Sequence, residues 1–284
     1  MLQKGILGCV RPDELAVLAG SPVLAANMTG FRVAAWRGLP EQRVPSVRVY
    51  VHPPEEDHLI SKGLLKTGSW AHAGNEMTRR SIVGLIMQLL SQAPPGASFM
   101  DIGANIGTFS LPLLAAGYPG LLVEASPRNA WRLRAGVCAL GPLASAAATV
   151  VAPVALGNGS AATACMRAAK AANAGTMSVV ARHKGLCDGN EVPAAQLDDL
   201  VFAGKDAPPS CASLVALKID VEQYELEVFQ GAARVLRHCR PRHIFIEGGV
   251  QAPAVKLLMS TYGYRLAGAY DRGHDSHLVL GKAG

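Results

Sequence analysis

A chain of 284 residues, half of them hydrophobic, suits one large α/β domain with an N-terminal extension. The net charge is +6, but the basic residues are scattered and no aromatic-interleaved basic stripe occurs, so no nucleic-acid partner is expected. No apolar run approaches the roughly 18 residues that span a bilayer, and Arg11, Asp13 and Glu14 interrupt the short apolar start, which makes a poor signal peptide. Up to Pro45 the chain reads as an irregular lead-in with a short helix at Pro12–Leu18. Val47–Val51 alternates like a strand, and His52–Asp57 reads as a loop. Met77, Ile82, Leu85, Ile86 and Leu89 predict a helix from Asn75 to Leu90, ended by Pro94-Pro95-Gly96. We place the extension or cap at residues 1–75 and the main domain at 76–284.

Phe99-Met100-Asp101-Ile102-Gly103-Ala104-Asn105-Ile106-Gly107-Thr108-Phe109-Ser110 then reads as a buried strand, a glycine turn and the start of a helix. Such a junction presents backbone N–H groups and the positive end of a helix dipole to a ligand. Leu121-Leu122-Val123-Glu124 follows as a second apolar strand, and its terminal acid is placed to accept both ribose hydroxyls of a nucleoside. The glycine spacing departs from the G-x-G-x-x-G loop that holds a pyrophosphate. Asp101 just before the turn would repel a pyrophosphate but suits a cation. S-adenosylmethionine (SAM) joins adenosine to a sulfonium and an ammonium, so the electrostatics favour SAM over NAD or FAD.

Ser126 and Pro127 mark the cap and first position of the next helix. A third strand is expected near Thr149–Val154, and Leu156-Gly157-Asn158-Gly159 turns the chain with its backbone near the adenine. Residues 160–196 are irregular, with Thr176–Val180 the one short strand; the segment reads as a substrate flap or a disordered loop, the flap being favoured. The run Ala161–Ala174 supports no motif. Leu214–Asp220 is a further apolar strand ending in acids, and Asp220 should share the crevice with Asp101. Leu226, Phe229, Ala233 and Leu236 form one helical stripe, with Gly231-Ala232-Ala233 a small face for close packing. His243–Glu247 is a strand ending in another acid, and Tyr264–Tyr270 with His277–Leu280 reads as a closing hairpin.

Asp101–Phe109, Val123–Asn129, Leu197-Asp198-Asp199-Leu200, Lys218–Glu225 and Gln230-Gly231-Ala232 together resemble the FkbM-type SAM-dependent methyltransferases, over about Val49 to Glu247. The resemblance implies a class I methyltransferase fold: an open, mostly parallel sheet with an antiparallel last strand. It implies SAM as methyl donor, with the first motif around the methionine part and Glu124 on the ribose. The candidate cofactor residues are Asp101, Gly103, Ala104, Asn105, Gly107, Thr108, Glu124, Ala125, Leu156 and Asp220. The family usually has Pro where this chain has Ala125, and Gly where it has Gln223.

Methyl transfer needs in-line alignment, and a hydroxyl nucleophile gains from a base. Asp220 and Glu247 are the candidate catalytic residues; Asp220 could also hold the SAM ammonium or cap the following helix. Glu222 and Glu225 are expected in that helix's first turn, and His52, His58 and His72 could approach from the N-terminal segment. Asp220, Glu222 and Glu247 could ligate Mg²⁺, but nothing in their spacing demands it, and no metal is assigned. The six cysteines lack zinc spacing; unpaired thiols are the default expectation, which favours a reducing, cytoplasmic compartment, with disulfides between distant positions left open. The expected activity is O-methylation of a sugar or small metabolite, the oxygen preference coming from the resemblance. The alternative is a degenerate nucleoside-binding or scaffold protein of the same fold.

Overall fold

The computed structural model describes residues 32–38, 43–68, 82–168, 177–180, 187, 191–202, 211, 213–270 and 273–281. The expected helix at Pro12–Leu18, Cys9 and His72 lie outside the described residues.

Strands β1 (Arg32–Trp36) and β2 (Val47–Val51) pair antiparallel. Alternation turns Ala34, Trp36, Val47, Val49 and Val51 inward. Helix α1 (Ile60–Thr67) follows. The Asp57 carboxylate starts it by accepting the N–H groups of Leu59, Ile60 and Ser61 at 3.0 to 3.1 Å. Helix α2 (Ile82–Ser91) adds Val83, Ile86, Met87 and Leu90 to the same core.

β3 (Ser98–Ile102), α3 (Ser110–Ala115), β4 (Gly120–Val123), α4 (Pro127–Ala139), α5 (Pro142–Ala146) and β5 (Ala148–Val151) come next. Every residue of β3 is buried, as expected of a strand covered on both faces. Phe99 joins the core under the N-terminal strands, while Met100 and Ile102 join the opposite one. Ser126 caps α4 by accepting from the Asn129 N–H, with Pro127 in the first turn, as the sequence predicts.

The irregular segment is more ordered than expected. β6 (Ala155–Leu156), β7 (Thr163–Ala168), β8 (Met177–Val180) and β9 (Glu191–Ala195) form a small sheet of order β6-β9-β7-β8. β7 lies inside the alanine-rich run, where side chains carry little strand preference. Its pairing with β8 and β9 supplies what propensity does not.

α6 (Leu197–Val201) leads to β10 (Leu214–Ile219), α7 (Glu225–Gln230), a π-helical turn at Val235–Cys239, β11 (His243–Glu247), α8 (Pro253–Tyr262), β12 (Tyr264–Tyr270) and β13 (Asp275–Leu280). The main sheet has the order β12-β13-β11-β10-β3-β4-β5. β5, β4, β3, β10 and β11 are mutually parallel, and β13 inserts antiparallel between β11 and β12. From β3 the chain first builds outward through β4, then returns to β10 on the other side. That reversal makes a topological switch point, where open α/β sheets collect ligands.

The expected helical stripe from Leu226 to Leu236 is interrupted at Gly231-Ala232. A Cβ on Gly231 would meet the Gly157 carbonyl oxygen at 2.0 Å, so this glycine permits a close backbone approach. The helix resumes where the Asp198 carboxylate accepts the N–H groups of Arg234 and Val235 at 2.8 and 2.9 Å.

The expectation of unpaired cysteines is overturned. Cys165 bonds Cys187 and Cys211 bonds Cys239, with Cα atoms 5.5 and 4.8 Å apart, and Cys138 is also disulfide-bonded. No cysteine among the described residues is free. Sequence separations of 22 and 28 concealed pairs that only the folded chain brings together. Paired cysteines give no support to a reducing compartment. No helix among the described residues is long and apolar enough to cross a membrane.

Candidate functional site

A crevice opens at the carboxyl ends of β3, β4, β10 and β11, on the switch point between β3 and β10. Gly103, Asn105, Glu124, Ala125, Leu156, Asp220 and Glu247 line it, so seven of the candidate positions converge. Gly103 has φ +77°, and a Cβ there would meet the Asp220 carbonyl oxygen at 1.9 Å. Only glycine lets the first turn lie against the end of β10. The turn does not run straight into a helix. Asn105 (φ +52°) and Gly107 (φ +89°) are left-handed, which delays α3 to Ser110.

Glu124 stands at one end of the crevice. It is 7% exposed and accepts from Asn105 N at 2.8 Å, Ser126 N at 2.7 Å and Asn129 Nδ2 at 3.4 Å. Burial pushes its pKa up, while these hydrogen bonds and the Lys218 charge pull against that rise. Oε1 takes two of the donors and Oε2 one, leaving Oε2 the less occupied oxygen.

Asp101 sits beneath the crevice rather than in its wall. It is 1% exposed, faces Lys218 of β10 in register and accepts from Ser110 Oγ. Lys218 Nζ lies 3.3 Å from Asp101 and 3.6 Å from Asp220, and donates to the Gly103 carbonyl at 3.0 Å. Burial alone would lower the Lys218 pKa; the charges of Asp101 and Asp220 more than reverse this and raise it. One buried cation thus holds both strand-end acids and the glycine turn. Ala104 and Thr108 are also buried, and Gly107 packs against Leu111 and Leu133.

The other end of the crevice is acidic. Carboxylate oxygens of Asp220, Glu222 and Glu247 all lie within 4.8 Å of one another. The Glu247 pKa is pushed up to about 9, first by burial, then by the charges of Asp220 and Glu222 and a hydrogen bond to Asp220. Oxygen donors of this kind suit a hard cation, but crowded carboxyls relieve their repulsion equally well by sharing a proton.

Glu222 does not lie in the first turn of α7, which holds Glu225 and Glu227. Glu222 and Gln223 take φ of +54° and +73°, so the chain cannot be helical there and Glu222 turns toward the other acids. The conformation a glycine would favour is therefore kept by Gln223. Asp220 does not cap α7; Tyr224 holds the cap position, and Glu225 reaches back to accept from the Val221 N–H at 3.2 Å.

His52 is fully buried behind Glu124 and outside the lining, and His58 is exposed. Sequence reasoning missed Lys218, Asn129, Tyr224, Leu59 and Ile60, and the Met166, Met177 and Val179 side chains that β7 and β8 bring to the crevice. For Lys218 a signal existed: it is the one charged residue in the apolar run Leu214–Ile219.

The crevice thus joins a glycine turn at a switch point, an acid on the neighbouring strand and further acids across from it, on an α/β fold. Residues 101–266 match the methyltransferase FkbM domain, more than half of the chain, and the chain belongs to that family. No curated protein matches the sequence. Among solved structures, monomeric WbdD is 15% identical, with 74% of this chain and 45% of that chain covered and a TM-score of 0.38. The bifunctional kinase-methyltransferase WbdD gives 14% identity, 74% and 43% coverage and a TM-score of 0.39. The methyltransferase domain of bacterial CtHen1-CN gives 12% identity, 70% and 97% coverage and a TM-score of 0.37. The chain spans less than half the length of the WbdD chains it resembles.

Proposed function

We propose that the protein is a SAM-dependent O-methyltransferase of the class I fold, acting on a hydroxyl of a sugar or small metabolite. The observation that carries this reading is the two-ended crevice. A hydrogen-bonded acid, Glu124, stands at one end and three crowded acids at the other. SAM has the matching polarity, with a ribose toward Glu124 and its positive charges toward Asp220, Glu222 and Glu247. Leu156, Val154 and Met166 supply apolar surface beside Glu124 for the base. Leu59 and Ile60 reach the crevice from the segment before residue 76, which we assign as its cap.

SAM, when bound, supplies an electrophilic methyl group. The chain's part is to align, to exclude water and to hold a proton. Asp220 and Glu247 share a hydrogen bond, and Glu247 keeps its proton at neutral pH. Asp220 is then the carboxylate left to accept the proton of the incoming hydroxyl, while Glu247 steadies it. No metal forms part of this proposal. A non-catalytic scaffold of the same fold is the contrasting reading, which Gln223 kept open; its left-handed backbone preserves the turn and weakens that objection.

Calorimetric titration with S-adenosylhomocysteine tests the site. We expect Glu124→Ala to weaken binding by about 1–3 kcal/mol, the scale of charge-assisted hydrogen bonds to the ribose. Unchanged affinity in a folded variant would refute the ribose assignment. Labelled SAM with hydroxylated acceptors tests the transfer, and binding with no transfer to any of them would favour the scaffold.

A further inference from the structure

Behind Glu124 a line of polar groups runs back into the N-terminal segment. Glu124 Oε1 accepts from Asn129 Nδ2, and Asn129 Oδ1 lies 2.7 Å from His52 Nε2. His52 and Asn129 are 0% and 1% exposed. His52 directly follows β2, and its backbone N–H donates to Ser61 Oγ at 3.0 Å. Ser61 Oγ donates in turn to Asp57, the acid that starts α1.

The far end of the line sets its polarity. An ionised carboxylate only accepts, so Asn129 turns its NH₂ toward Glu124 and its carbonyl toward His52. His52 must then donate from Nε2. The other tautomer would face a lone pair against the Asn129 carbonyl and bury an N–H at Nδ1, an atom with no hydrogen-bond partner. A protonated ring would bury the same N–H. The neutral ring is favoured accordingly, and its pKa is pushed down to about 4, by burial first and the Arg132 charge second.

We propose that His52 is a positioning residue for the ribose end of the cofactor site. Its Nε2–H fixes the Asn129 amide, and through that amide it aims the Glu124 carboxylate. The inference rests on the SAM reading above. Without a donor at position 52 the Asn129 carbonyl loses its partner, and the amide is free to swing its NH₂ away from Glu124. The Asn105 and Ser126 N–H groups still hold the carboxylate, so the pocket survives while its aim is lost. Ribose discrimination should suffer more than binding as a whole.

The test is calorimetric titration of the full chain with S-adenosylhomocysteine and with its 2′-deoxy and 3′-deoxy analogues. Wild type should prefer the ribose form over at least one analogue by about tenfold or more, the worth of one charge-assisted hydrogen bond. In His52→Phe, which keeps a ring and removes the donor, the preference should fall to about two- to threefold. His52→Gln, whose amide can donate, should restore it. If His52→Phe does not fold, Asn129→Leu breaks the line from its other side and should give the same loss. Equal weakening for all three ligands, with the preference intact, overturns the proposal and leaves His52 a packing residue. No binding by folded wild type overturns the SAM reading, and binding without ribose preference overturns the Glu124 assignment; either removes this inference as well.

Discussion

The two ends of the crevice solve the problem of a buried acid in opposite ways. Glu124 is surrounded by donors, two of them backbone N–H groups whose positions the turn and the α4 cap already determine. Asp220, Glu222 and Glu247 have mainly one another, with Lys218 as the cation beneath Asp220. The first end is complete before any ligand arrives. The second stores repulsion that a cationic ligand would relieve. A ligand that matched both ends would meet hydrogen-bonding groups already fixed at the first and unmet negative charge at the second.

The largest effect is expected at Lys218. Lys218→Met would leave Asp101 buried without its cation and release the Gly103 carbonyl. We expect a loss of about 3–5 kcal/mol, as for one partner removed from a buried pair. In thermal unfolding this corresponds to a drop of about 10 °C. A drop of a degree or two would mean that Asp101 is neutralised some other way.

Glu247 sharpens the contrast through pH. Its folded pKa, about 9, lies above the ordinary glutamate value of 4.5, so between those values the folded chain binds a proton the unfolded chain does not. Stability therefore falls as pH rises through that window. Glu247→Gln removes the titration. At pH 9 the variant should gain on wild type by about 1 kcal/mol relative to pH 6, a figure reduced for the solvent screening of a partly exposed group. Parallel Tm curves for the two proteins across this range would show that the acids do not repel as described.

The smallest effect is expected at Gln223. Its left-handed backbone costs about 1–2 kcal/mol, and glycine gives part of this back through a freer unfolded chain. Gln223→Gly should stabilise by about 0.5–1 kcal/mol in denaturant unfolding. A destabilised variant would show that the Gln223 side chain has a role of its own.

How far the sequence discloses this site depends on the kind of contact involved. Strands buried on both faces show as apolar runs, so β3, β4, β10 and β11 were legible, along with their terminal acids. The cap at Ser126 was legible because it is local. Lys218 meets Asp101 only through the pairing of strands 115 residues apart, as its bond to Gly103 also requires. Shorter separations, 22 and 28 residues, hid the Cys165–Cys187 and Cys211–Cys239 disulfides, and one of 77 residues hid the contact of His52 with Asn129 on the way to Glu124. Glu222 was misplaced because nothing local announces two successive left-handed residues without glycine. In residues 155–195 the strand expected at Thr176–Val180 is found as β8, but the sheet around it was missed for a different reason: β7 is alanine-rich, and its partners make it a strand.

The contact between Gly231 and Gly157 has a mechanical consequence. The loop carrying Leu156 is pressed onto the end of α7 with no room for even a methyl group. Tyr224, just before α7, stands 3.5 Å from where a Gly157 Cβ would be. Leu156 and Tyr224 are thus two jaws of a riveted caliper: the gap between them is a dimension of the fold, and a guest must be cut to that gauge.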